Sequence, residues 1–140
     1  MLKTTFSPLN HLDCISRIYP IKGAVVVGAG MGEGVWFDLL RQSDAPVVLV
    51  EADAERAAHL QQQYAPCENW QVQEQTIAQH EQQATFYRLS LRNESGVLGA
   101  DALRDLWPNI RPVDEAQGSP TTLDALCEEY HQCPNWGIGD

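Results

Sequence analysis

No run of lysine or arginine occurs anywhere in the chain, and its 9 basic residues are outnumbered by 19 acids for a formal charge of −10. Without a basic stripe nothing follows a phosphate backbone, which excludes nucleic acid as the expected partner. Long apolar stretches are missing as well: no window reaches the ~18–20 apolar residues of a membrane-spanning helix. No membrane association is expected, and the N-terminal stretch carries no export signal. Cys14, Cys67, Cys127 and Cys133 lie far apart with no CxxC pair, which points to free thiols in a cytoplasmic protein rather than to a disulfide framework. Cys127, His131 and Cys133 sit close in sequence but lack a fourth ligand and match no common zinc spacing, so no metal is expected. There is no nucleophile elbow, P-loop or HExxH. His11, His59 and His80 stand singly and read as surface or packing residues.

What is present is the composition of one ordinary domain. A chain of 140 residues, 44% hydrophobic and 20% charged, supports a single core and no second one. Trp36, Trp70, Trp107 and Trp136 are too widely spaced for a base-stacking platform and read as core or edge anchors.

The apolar pattern divides the chain into alternating elements. Ser7-Pro8 opens a leading helix within residues 1–20, whose Leu9, Leu12, Ile15 and Ile18 recur at threes and predict an apolar side that covers one face or end of the following sheet. Ala24–Val27 is apolar without alternation, as in a strand buried on both faces. A helix with Val35, Leu39 and Leu40 follows. Residues 45–53 predict a second buried strand, and Asp53 caps a helix with Ala57, Leu60 and Tyr64 on one side. Residues 69–77 alternate as a third strand. Strand and helix in turn are the signature of a doubly wound, mostly parallel α/β sheet. Residues 84–91 read as a further strand near an edge, and 92–120 as a loop-rich segment with a short helix around 102–107. A helix from Thr121 to about Tyr130 and the start of one more strand at 135–140 complete the pattern.

Chemistry concentrates in "VVVGAGMGEG", where the first strand runs into Gly28, Gly30, Gly32 and Gly34. Missing Cβ atoms let backbone approach a ligand, and the helix N-terminus behind them favours an anionic group. A dinucleotide loop needs GxGxxG, but position 33 is Glu33, and a register beginning at Gly30 meets Val35. That mismatch disfavours a nicotinamide-dependent oxidoreductase. Glu51, about 20 residues on at the end of the next strand, is placed to accept both ribose hydroxyls of an adenosine. Alone it would read as a strand-end acid; together with the glycines it reads as a nucleoside site.

The GxGxG spacing resembles motif I of the class I S-adenosyl-L-methionine-dependent methyltransferases, and from about residue 22 onward the chain resembles the FkbM type. "GAGMGEG" is similar to that family's glycine loop and "VVLVEADAERAAHL" to its second strand and helix. "QTIAQHEQQATFYRL" is similar to its third strand with the hairpin after it, and "TTLDAL" to its Thr-Leu-Asp stretch. The resemblance implies a Rossmann-like sheet, S-adenosyl-L-methionine as cofactor and O-methylation of a small hydroxylated or sugar-like acceptor. It places Gly28, Gly30 and Gly32 along the methionine moiety, Glu51 at the ribose, and Thr76, Ile77 and Ala78 by the adenine; no catalytic residue is assigned. Residues 1–140 are then the N-terminal part of one methyltransferase-like domain, with a cofactor-binding half at 22–83 and a remainder at 84–140. The sequence departs from the family at Val26, where an acid usually precedes the loop, and Asp140 aligns with an aspartate of a later family strand. A non-catalytic interaction module that keeps the fold is the alternative, with a protein partner or further chain completing the sheet.

Overall fold

The computed structural model describes residues 8–78, 84–90, 95, 99–118, 120–129 and 134–139. Among the described residues eleven elements follow in chain order: α1 Pro8–Ile18, β1 Ala24–Val27, α2 Val35–Gln42, β2 Val47–Glu51, α3 Ala54–Gln63, β3 Trp70–Glu74, β4 Ala84–Leu89, α4 Ala100–Leu103, β5 Pro112–Gly118, α5 Leu123–Glu129 and β6 Trp136–Gly139.

Four of the strands form a parallel sheet in the order β3-β2-β1-β6. β1 pairs Ala24 with Val47 and Val27 with Val50 on one side, and Ala24 with Trp136 and Val27 with Gly139 on the other. Both central strands are apolar on both faces because both faces are covered, the condition that removes the usual alternation. Ala24, Val26, Val47 and Leu49 pack with Phe37 and Leu40 of α2 and with Leu60 and Tyr64 at α3. On the opposite face Val25 and Val50 meet Leu126 of α5. The chain is a mixed α/β protein whose parallel sheet is compatible with a Rossmann-like arrangement.

α3 begins where the sequence predicts. The Asp53 carboxylate accepts from the amides of Glu55 at 3.0 Å and Arg56 at 3.4 Å, satisfying donors that a helix N-terminus otherwise leaves unpaired. Ala57, Leu60 and Tyr64 are all buried, as their spacing requires.

Three expectations are corrected. α1 does not cover the sheet: it contacts α2, and Ile15 and Ile18 are 40% and 85% exposed. One face of the sheet is filled instead by α2 and α3. Residues 112–118, expected as loop, form β5, which pairs antiparallel with β4 from Ala84 opposite Gly118 to Leu89 opposite Pro112. Non-local pairing created this strand from a polar, acidic stretch with little intrinsic strand preference. β4 and β5 form a two-stranded ribbon separate from the parallel sheet, beside a small core of Leu89, Ala100 and Ile110. The short helix of that region lies at Ala100–Leu103, earlier than expected. Ser7, His80, His131, Cys133 and Asp140 lie outside the described residues.

Asn135 joins the two ends of the parallel sheet's sequence. Its side-chain oxygen accepts from the amides of Lys22 at 2.9 Å and Gly23 at 3.3 Å, and its amide nitrogen donates to the Pro20 carbonyl at 2.8 Å. β6 is thereby brought to the start of β1. Trp136 adds a donation from its indole nitrogen to the Tyr19 carbonyl and an edge contact with Trp36.

Candidate functional site

In the order β3-β2-β1-β6, sequence neighbours lead outward from β1 in one direction and the chain then crosses to its other side, so the order reverses between β1 and β6. In open parallel sheets the crevice at the carboxyl ends of strands flanking such a reversal is where ligands bind. The glycine loop leaves β1 at that point. Its four glycines all have positive φ, at 70°, 59°, 70° and 117° for Gly28, Gly30, Gly32 and Gly34, a left-handed series that other L-residues adopt only with strain.

Tertiary contacts hold this series in place. The amides of Gly28 and Ala29 both donate to the Val50 carbonyl, at 2.9 and 3.1 Å, and the Gly32 amide closes a turn onto the Ala29 carbonyl at 3.0 Å. Glu51, at the end of β2, is 7% exposed. Its Oε2 accepts from the Gly30 amide at 2.7 Å and its Oε1 from the Asp53 amide at 3.0 Å. A buried carboxylate requires such donors, because taking it out of water unpaired is severely unfavourable. Each oxygen retains further acceptor capacity, the two-point pattern that a vicinal diol needs.

The glycines are not equivalent. A Cβ on Gly30 would meet no atom nearer than the Gly28 carbonyl oxygen at 4.0 Å, and one on Gly34 would meet nothing within 4 Å. Those two positions leave open space over the loop. A Cβ on Gly32 would lie 2.6 Å from Leu60 and 2.8 Å from Tyr64, so the structure requires glycine there for packing against α3. In a dinucleotide loop the third glycine serves close helix packing. Here Gly32 makes the close approach, one residue before the exposed Glu33.

Thr76, Ile77 and Ala78 follow β3 and are half-buried. The Thr121 amide donates to the Thr76 carbonyl at 2.9 Å, and the Ala78 amide donates to the Thr121 carbonyl at 3.0 Å. Ile77 forms an isolated parallel bridge with Thr121 and packs toward the Val25, Val50 and Leu126 core. The two sequence segments "QTIA" and "TTLDAL" thus meet in space. Val26 is buried at 3% in the core beneath α2, pairing in register with Leu49 and Ile138.

Glu51 and the glycines, singled out in the sequence, meet in space through Gly30, whereas the contact of Tyr64 with the loop has no sequence signal. The Tyr64 hydroxyl donates to the Gly32 carbonyl across 32 positions, beyond the reach of any local spacing. A cavity of about 180 Å³ lies elsewhere, at the amino-terminal ends of the strands by Gly23, Pro46 and Pro134. Its lining includes no charged side chain, and it belongs to a different end of the sheet from the glycine loop.

Among the described residues no group of three His, Cys, Asp or Glu is arranged to hold a metal ion, and no helix is long and apolar enough to cross a membrane. No protein-family model matches the chain, and neither a curated protein nor a solved structure matches it.

Proposed function

We propose that the glycine loop and Glu51 form the adenosyl-ligand site of an S-adenosyl-L-methionine-dependent methyltransferase-like domain of the FkbM type. The observation that carries this reading is the Glu51 carboxylate, seated on the Gly30 amide at 2.7 Å at the carboxyl end of a parallel strand. Acid and loop are joined where a ribose and the group beyond it would lie side by side. The residues present fit such a ligand: Glu51 for the ribose diol, the exposed Gly28 and the open space over Gly30 for the methionine part, and Thr76–Ala78 for the adenine end. Gly32 supports the loop from α3. A buried carboxylate at the diol position also repels a phosphate placed there, which disfavours nucleotides phosphorylated on a ribose 2′ or 3′ oxygen.

When bound, the cofactor supplies an activated methyl group to an acceptor oxygen. The chain's own part is to bind and orient, because transfer requires the acceptor aligned at near-attack distance and that positioning supplies several kcal/mol. The net charge of −10 mildly favours a cationic ligand. The outer edge of β6 has no strand partner among the described residues, and a strand from a partner or from further chain would extend the sheet there on the acceptor side.

Calorimetric titration with S-adenosylhomocysteine tests the reading. Binding that is lost in Glu51→Ala supports it, and no detectable heat at millimolar ligand refutes it. A second reading, a non-catalytic interaction module on the same fold, is favoured by Val26, whose side chain is core where the family carries an acid. That reading expects Glu51→Ala to leave the protein's cellular role intact.

A further inference from the structure

Four glycines in one short loop make a segment that loses much conformational entropy when it is ordered. Something must offset that loss before a ligand arrives if the ligand is to meet a formed site. Gly28 and Ala29 are tied to Val50, and Gly30 is tied to Glu51, the group the proposed ligand itself engages. Beyond them, Gly32 is seated on Tyr64.

Tyr64 ends α3 and is 4% exposed. Its ring stacks with two others, Phe37 of α2 at 5.9 Å and Trp70 of β3 at 4.5 Å between centroids. Buried and stacked on two rings, it has little freedom to turn. The hydroxyl then donates to the Gly32 carbonyl, and the ring edge occupies the space a Gly32 side chain would take. A phenylalanine would fill the same volume, so packing alone does not require the oxygen.

We infer that Tyr64 is a positioning residue for the glycine loop: by anchoring Gly32 from the helix side, it holds the backbone of residues 30–34 in place for ligand binding. α2, α3 and β3 meet at its ring, so the loop is referenced to three elements through one side chain. A preformed loop spares the ligand the ordering cost, which raises affinity without adding a contact. The claim about affinity rests on the adenosyl-ligand reading; the claim about loop order does not.

Tyr64→Phe in the full chain tests it, read by amide hydrogen exchange and by titration with S-adenosylhomocysteine. Loss of one net hydrogen bond predicts exchange about 3- to 10-fold faster at the hydrogen-bonded amides of Gly30 and Gly32, and affinity weaker by a similar factor. Leu126→Val, in the core of the opposite sheet face, lowers stability by its own route and should leave loop exchange unchanged. Loop exchange in Tyr64→Phe equal to that of the unsubstituted protein, or equally accelerated by Leu126→Val, overturns the inference. If the unsubstituted chain takes up no S-adenosylhomocysteine, the adenosyl reading fails and the exchange result alone decides the role of Tyr64.

Discussion

Gly30→Ala and Gly32→Ala place the same methyl group on nearly the same backbone, with φ of 59° and 70°, and should nevertheless differ sharply in cost. The left-handed conformation penalises either alanine by about 1–2 kcal/mol. At Gly30 little is added, since the methyl group points into open space. At Gly32 it would fall 2.6 Å from Leu60 and 2.8 Å from Tyr64. Leu60 is fully buried and Tyr64 is buried and stacked on Phe37 and Trp70, so neither can withdraw; the Gln63 amide at 3.2 Å, on an exposed side chain, can. Overpacking of that kind costs about 1–3 kcal/mol more, and it also disturbs the Tyr64 donation to the Gly32 carbonyl. The total for Gly32→Ala is about 2–5 kcal/mol, a large part of the ~5–15 kcal/mol that holds a typical domain folded. Urea unfolding followed by tryptophan fluorescence measures both variants. A loss at Gly32 no larger than that at Gly30 would refute the packing argument, and with it the view that Gly32 serves α3.

The same loop yields a complementary result at Gly30, where alanine should weaken S-adenosylhomocysteine binding out of proportion to its stability cost, as paired calorimetry and urea titration would show. Glu51→Gln keeps one accepting oxygen and exchanges the other for an NH2 group that cannot accept from Gly30 or Asp53; about 1.5–3 kcal/mol of stability should be lost, read as a lower urea midpoint at unchanged slope. Asp53→Ala removes the α3 cap and should cost about 0.5–2 kcal/mol, with Asp53→Asn recovering most of it. Burial raises the Tyr64 phenol above its ordinary value of 10.0, the nearby Arg41 opposing in part. The folded state therefore holds this proton more tightly than the unfolded chain does. The resulting stability is present below pH 10 and is lost as pH rises through the raised folded value, a decline that Tyr64→Phe should lessen in alkaline unfolding curves.

Period and punctuation in the sequence were enough to determine the central parallel strands, α2, the Asp53-capped α3 and the glycine loop with its acid. Each depends on local features: uninterrupted apolar runs, a capping side chain, and glycines where backbone must turn left-handed. The last strand, Trp136–Gly139, was also legible, but its place beside β1 was not, because that depends on Asn135 bonding to residues more than a hundred positions away. Local pattern failed where distant partners decide the outcome. Residues 112–118 become strand only by pairing with 84–89, and α1 packs on α2 and leaves Ile15 and Ile18 exposed. The sequence determined that an acid and four glycines are available at the right strand ends. Only the tertiary structure decided that Glu51 lies on Gly30, that Thr121 closes against Thr76 and Ala78, and that Gly32 is a glycine because Tyr64 fills the space beside it. Those contacts join segments separated by 21 to 45 positions, and no periodicity extends that far.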